Sequence, residues 1–252
     1  MLEVLILSFI QGVTEFLPIS STGHLVLISK FYNFSFSNLL LDISLHIGSF
    51  LAVTFYFFQD IIKIIKDKEK LIILIVAVLP VLIIGFIISE TGFIENLRNI
   101  KVIGWTTIIF GLLLFLSDKS KTSKNYNNHF SMKAAIVIGL IHSLAVIPGV
   151  SRSGIAITAG RFLSFSRLDS AKISFILSIP TLFVLSFYGI YNLSKETADI
   201  IKDLNLIGIL LSFTFSYLTI KFFLKFIRKF TLSFFVIYRV IIGLLILFYG
   251  YL

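Results

Sequence analysis

The chain has no cysteine, which excludes disulfide staples, thiolate nucleophiles and cysteine-bound metal centres. Charge is scarce too: Asp, Glu, Lys and Arg make up only 14% of the 252 residues, against 57% hydrophobic. With 28 Phe and a mean hydropathy of +1.01, a soluble globular domain is excluded and an integral membrane protein is expected. No polar stretch is long enough to fold separately, so residues 1–252 are expected to form a single integral membrane domain. The apolar start Leu2–Ile10 lacks a basic segment before it and runs straight into Gln11 and Glu15, so no cleavable signal peptide is expected. A net charge of +9 raises the question of nucleic acid, but the basic residues fall in short loops between apolar runs, a pattern of membrane topology.

Only four prolines are present, and two of them, Pro18 and Pro148, interrupt apolar segments. Runs long enough to cross a bilayer are Leu39–Phe58, Leu71–Ser89, Val102–Leu116, Ala171–Tyr191, Leu206–Ile220 and Ser233–Leu252, some of them once their ends are extended. The remaining pieces are Leu2–Leu17 with Ser20–Phe31, and Met132–Ile147 with Ser151–Leu163. Each half is too short and too polar to cross alone. The chain is therefore expected to be an all-α polytopic membrane protein with six transmembrane helices and two re-entrant helix hairpins. Lysines and arginines cluster at residues 63–70, 119–133, 161–172 and 221–229, which places those loops on the cytoplasmic side. Both termini then lie outside, and the hairpins enter from opposite faces, as inverted-topology repeats of about 1–117 and 132–252.

The two breaks carry related polar clusters, QGVTEFLPISSTGH (Gln11 to His24) and HSLAVIPGVSRSG (His142 to Gly154). A shift of 131 residues places Gln11 on His142, Ile19 on Val150, Ser20 on Ser151 and Gly23 on Gly154. Ionisable groups at membrane depth are costly unless they face one another or water, so the function is expected where these clusters meet. Gln11 and Glu15 are four apart and share a helix face. Ser20, Ser21, Thr22 and His24 follow Pro18. Alone they are a plausible helix cap; beside Glu15 they offer a hydroxyl nucleophile and a base. Gly149, Ser151, Arg152, Ser153 and Gly154 offer backbone N–H groups at a helix start and a guanidinium, a pair suited to phosphate. The plainer reading, Arg152 paired with Glu15 only to hold the hairpins together, is compatible with that one.

Other polar residues are weaker candidates. Asp42, Ser44 and His46 are within reach of the cavity on paper, although a histidine bonded to its own backbone is an equally good reading. His142 is expected behind the site, His129 in solvent, and Arg239 snorkelling from the last span. The phenylalanine stripes Phe55, Phe57, Phe58 and Phe222, Phe223, Phe226 are expected to face lipid or pack.

Over nearly its full length the sequence resembles the undecaprenyl-diphosphatase family, membrane phosphatases linked to bacitracin resistance. Two motifs carry the resemblance: Gln11, Glu15, Pro18, Ser20, Ser21, Thr22, Gly23 and His24, and Pro148, Gly149, Ser151, Arg152, Ser153 and Gly154. It implies hydrolysis of undecaprenyl diphosphate to the monophosphate carrier lipid of peptidoglycan synthesis, at a site open to the outer face of the bacterial plasma membrane. It also implies a divalent metal cation, Mg2+ or Ca2+. Gln11 stands where Glu is frequent in the family, so Glu15 carries the metal or acid–base role alone. The family's threonine shortly after Ser-Arg-Ser-Gly is Ala156 here, with Thr158 two residues on, and His142 replaces a frequent Gln.

On this reading Ser21 is the nucleophile, with His24 as base or leaving-group acid; attack by His24 itself or by water stays open. Arg152 binds the phosphates with help from Ser20, Thr22, Gly149, Ser151, Ser153, Gly154 and Gln11. The partner is a polyprenyl diphosphate lipid; no nucleic acid is expected, and a homodimer is allowed. The rival class is a polyprenyl-phosphate transporter or flippase, because inverted repeats with broken helices are also a carrier architecture. A lipid-binding scaffold without turnover is a third.

Overall fold

The computed structural model describes residues 1–21, 23–24, 39–93, 97–194 and 203–252. Apolar runs become helices because a helix satisfies every backbone group within its own segment, without water. In chain order these are α1 (Leu2–Thr14), α2 (Leu39–Tyr56), α3 (Phe58–Lys66), α4 (Lys68–Glu90), α5 (Ile100–Asp118), α6 (Tyr126–His129), α7 (Met132–His142), α8 (Arg152–Phe162), α9 (Arg167–Ser194), α10 (Asp203–Phe226) and α11 (Ser233–Tyr251). A 3₁₀ turn, Ser143–Val146, continues α7. Among the described residues the sole β feature is an isolated bridge between Lys124 and Phe165.

Among the described residues five helices are long and apolar enough to cross a membrane, and α2 with α3 makes a sixth if counted together across a 73° bend at Phe57. The protein is thus a multi-pass membrane protein. Polar residues stop the helices where the apolar runs end: Asp67 accepts from the Lys70 amide at 3.3 Å before α4, and Asn99 from the Lys101 amide at 2.8 Å before α5. α1 and α7 are apolar but too short to span.

Helices pack through small polar residues, as expected where lipid supplies no hydrophobic drive between them. Ser49 on α2 meets Ser212 and Ser216 on α10 at 3.2 and 3.0 Å. A phenylalanine core fills the centre, with Phe16 edge-on to Phe175 at 5.4 Å and Phe223 edge-on to Phe235 at 5.3 Å. The stripes therefore divide: Phe55, Phe58 and Phe222 are exposed on the outer surface, whereas Phe57 and Phe223 belong to the core.

At the end of the bundle read as cytoplasmic, Asp118 gathers four elements. Its carboxylate accepts from Arg167 at 2.6 and 3.1 Å and from the Leu232 amide at 3.1 Å. Arg161 donates to the carbonyls of Asp118, Ser120 and Phe165. These ties fix the ends of α8 and α9 against α5 and α11, and so set where α8 begins.

Candidate active site

The site grows from the two breaks. Beyond α1 the Glu15 amide still bonds the Gln11 carbonyl at 3.0 Å, so Gln11 and Glu15 stay on one helical face. Pro18 cannot continue that ladder, and the chain turns through Ser20 at φ 67°. In the second half Pro148 and Gly149 (φ 91°) end the 3₁₀ turn, and Ser151 takes φ 71° before α8 starts at Arg152. Gly149 has no alternative: a Cβ there would lie 2.1 Å from the Thr106 hydroxyl. Left-handed backbone is uncommon and costly for a residue with a Cβ. Ser20 and Ser151, 131 residues apart, adopt it just after Pro18 and Pro148, so Ser21 and Arg152 each emerge as the first residue past a break.

The side chains then converge. Arg152 Nη2 lies 2.9 Å from Glu15 Oε1, an ion pair with only 20% and 4% of the two side chains exposed. Gln11 Nε2 donates to Glu15 Oε2 at 3.0 Å, so both carboxylate oxygens are engaged. Arg152 Nη1 also donates to Thr181 Oγ1 at 3.4 Å. Ser153 Oγ donates to the Leu17 carbonyl at 2.8 Å, fastening one break to the other. Ser151 Oγ caps α8 by accepting from the Gly154 amide at 3.1 Å.

Two cavities meet at Arg152. The smaller, about 80 Å³, is lined by Thr14, Glu15, Ser20, Ser21, Gly149, Ser151 and Arg152 with two apolar residues. At roughly 30 Å³ per water in the liquid, it has room for a few waters or a phosphate-sized group. The larger, about 510 Å³, runs between α4 and α9 and is walled mainly by apolar residues such as Val81, Phe86, Val146, Val184 and Leu185. Arg152 and Ala145 line both.

Of the residues expected from sequence, Glu15, Ser20, Ser21, Gly149, Ser151 and Arg152 face the small cavity. Gln11, Ser153 and Gly154 are buried around it as supports, and Thr22 lies outside the described residues. His24 is placed differently. Its Nδ1 lies 2.7 Å from the Ser20 carbonyl and its Nε2 2.6 Å from the Tyr238 hydroxyl. A carbonyl only accepts, so a neutral His24 carries its proton on Nδ1 and leaves the Nε2 lone pair to Tyr238. No bond joins His24 to Ser21 among the described residues.

His142 is buried with neither ring nitrogen bonded among the described residues. His46 bonds the Asp42 carbonyl at 2.8 Å, and Asp42, Ser44 and His46 line neither cavity. His129 is exposed, as expected. Arg239 does not snorkel: it is wholly buried. Thr181, Tyr238 and Arg239 are contacts that sequence reasoning missed. The single available signal was a charged residue inside the last span, which membrane cost alone marks as partnered.

Residues 4–245 match the family model described as bacitracin resistance protein BacA. The chain belongs to the BacA family. Similar proteins named undecaprenyl-diphosphatase include that of Pelagibacter ubique (strain HTCC1062), 45% identical over 246 residues, 97% of this chain and 96% of the relative. That of Saccharophagus degradans (strain 2-40) is 38% identical over 255 residues, covering 96% and 95%. That of Jannaschia sp. (strain CCS1) is 35% identical over 260 residues, covering 98% and 97%. The BacA match contains both broken segments and all the groups that converge on Arg152.

Proposed function

We propose that this BacA-family chain is an undecaprenyl-diphosphate phosphatase, hydrolysing undecaprenyl diphosphate to undecaprenyl phosphate and inorganic phosphate. The carrier lipid is thereby recycled for peptidoglycan and cell wall synthesis. The observation that carries this reading is the place of Arg152, which lines both a polar pocket of hydroxyls and a carboxylate and an apolar groove. A diphosphate head on a polyprenyl tail has that division of polarity. The relatives are named for hydrolysis, and a carrier would need the guanidinium but not the hydroxyl beside it.

In this reading Arg152 and the N–H groups at the start of α8 bind the terminal phosphate. Ser21 Oγ attacks its phosphorus; an O–P bond forms as the bond to the bridging oxygen breaks, and undecaprenyl phosphate leaves. His24 receives the serine proton at Nε2 after exchanging Tyr238 for Ser21, since catalytic hydrogen bonds commonly tighten only with substrate bound. Water then cleaves the phosphoserine with His24 returning the proton. Ser20, Ser151, Gly149, Ser153, Gly154 and Gln11 shape the phosphate pocket.

The donor set suits a divalent cation that arrives with the substrate. Among the described residues no group of three His, Cys, Asp or Glu is placed to hold a metal. Glu15 with diphosphate oxygens is the arrangement Mg2+ favours, one carboxylate plus substrate phosphates. Such an ion, Mg2+ or Ca2+, would neutralise charge on the phosphates. The helix lengths support six spans with two re-entrant hairpins, and the paired left-handed serines support inverted repeats of one domain. The larger cavity lies toward the Glu90 and Ser194 ends of α4 and α9, which the charge pattern places outside. The test is phosphate release from a polyprenyl diphosphate by purified protein in detergent. Wild-type protein that binds the lipid without releasing phosphate, at any divalent cation concentration, would favour the transporter instead.

A further inference from the structure

Among the described residues Arg239 is the largest fully buried side chain, at 0% exposure, and no carboxylate pairs with it. Carbonyl oxygens solvate it instead. Nε donates to the Thr107 carbonyl at 3.0 Å, Nη2 to Gly149 at 3.0 Å and Nη1 to Val150 at 3.1 Å, with a longer 3.5 Å contact from Nη1 to Pro18. One side chain from α11 therefore touches the breaks of both hairpins and braces them on α5. Thr106 and Thr107 hold the second break from the same side, through the Pro148 carbonyl at 2.6 Å and Gly149 at 3.4 Å. Space is left for the guanidinium: a Cβ on Gly154 would lie 2.9 Å from Nη1, and one on Gly111 3.2 Å from the Arg239 Cβ.

A buried unpaired charge is costly, and neutral side chains can hold carbonyls more cheaply. The planar fork does what they cannot, reaching several carbonyls of two separate loops at fixed angles. It also aims the backbone. In a trans peptide the N–H points away from the C=O, and the described residues contain no cis peptide. Drawing the Val150 carbonyl onto Arg239 turns the Ser151 N–H to the opposite side, and Ser151 lines the 80 Å³ cavity.

We propose that Arg239 is a positioning residue for phosphoryl transfer. By gripping the Pro18, Gly149 and Val150 carbonyls it sets the break that presents Ser21 against the break that presents Arg152, and it aims the Ser151 N–H at the phosphate. This role rests on the assignment of that cavity as the phosphate site. Misalignment of reacting groups appears in kcat, while Arg152 still grips the anion and holds KM.

The test uses the full-length protein in detergent, with kcat, KM and thermal unfolding measured for Arg239→Lys, Gly111→Ala, Ser21→Ala and Arg152→Lys. Arg239→Lys keeps the charge but loses the fork, and its kcat per folded molecule should fall about 100-fold with KM within about threefold. Gly111→Ala leaves both loops untouched and crowds Arg239 from α5, where a Cβ would lie 3.4 Å from Nε. Its kcat should fall about fivefold, again at steady KM. A kcat within about twofold of wild type in either folded variant, or a loss carried by KM, overturns the proposal. Gly111→Ala decides the matter if the lysine variant does not fold. If Ser21→Ala and Arg152→Lys both turn over normally, the site assignment fails; an inactive Ser21→Ala or Arg152→Lys beside an unaffected Arg239→Lys overturns the role of Arg239 alone.

Discussion

Glu15 and Arg152 come from opposite halves of the chain and meet in a nearly closed ion pair, with 2.9 Å between Oε1 and Nη2. The pair joins the two broken segments, and Arg152 lines both cavities. Structure and chemistry are not alternatives here. The contact that joins the two broken segments also sets a guanidinium in the cavity that Ser21 lines.

Replacing Arg152 by lysine should therefore be far from conservative. A lysine keeps the charge but offers a single nitrogen where Arg152 serves Glu15, Thr181 and the phosphate at once. Loss of one preorganised donor to a developing oxyanion costs about 100-fold or more, so phosphate release should fall by at least that much. Near-normal turnover in Arg152→Lys would remove the clamp role.

Glu15 carries the metal prediction. Chelator should abolish phosphate release in the wild type, and Mg2+ or Ca2+ should restore it. Glu15→Gln keeps the bond geometry but leaves the half-buried Arg152 without its counter-charge, at a cost of about 3 kcal/mol or more in stability. That variant should need a far higher cation concentration for whatever activity remains. Wild-type turnover unchanged by chelator would exclude the cation.

Orientation is checked with single cysteines, which the native chain leaves free to place because it has none. Lys66 at the end of α3 and Lys121 and Lys229 in loops are exposed on the side read as cytoplasmic, and Thr91 is exposed at the opposite end of α4. Cysteine at Thr91 should react with an impermeant thiol reagent in intact cells, whereas the other three should be protected. The reverse pattern would move the active-site opening to the cytoplasm.

Much of this architecture was legible because membrane spanning imposes length. Among the described residues the six apolar runs became helical, and four of them extended outward, as from Leu206–Ile220 to Asp203–Phe226, because flanking polar residues complete the last turns. The 73° bend at Phe57 was not legible: Tyr56, Phe57 and Phe58 contain no proline or glycine, and the cause is packing of Phe57 into the core. Within the site, residue types and the repeat shift located Glu15, Ser21 and Arg152. The left-handed turns at Ser20 and Ser151 left no trace, since serine has no preference for that conformation. Tyr238 and Arg239 lie in the last span and reach the site only through the tertiary fold; the charge of Arg239 inside an apolar run marks it as partnered, but no local pattern names the partners.

The arrangement of His24 separates the mechanistic options for the first break. Its Nδ1 is fixed by the Ser20 carbonyl, which leaves Nε2 as the basic nitrogen and Tyr238 as its partner. If Ser21 attacks and His24 takes its proton, Ser21→Ala and His24→Ala should each lower phosphate release by about a thousandfold or more. Nucleophile and base act as one unit, so the double variant should be scarcely slower than either single one. Both should still bind the lipid diphosphate, because Arg152 and the start of α8 are untouched. Tyr238→Phe removes the hydroxyl but not the ring that stacks on His24 at 5.5 Å. With its competitor gone, Nε2 is freed for Ser21, so this variant should keep kcat within about tenfold of wild type. A Ser21→Ala enzyme that still turns over while His24→Ala is dead would instead make the imidazole, or a water it activates, the attacking group.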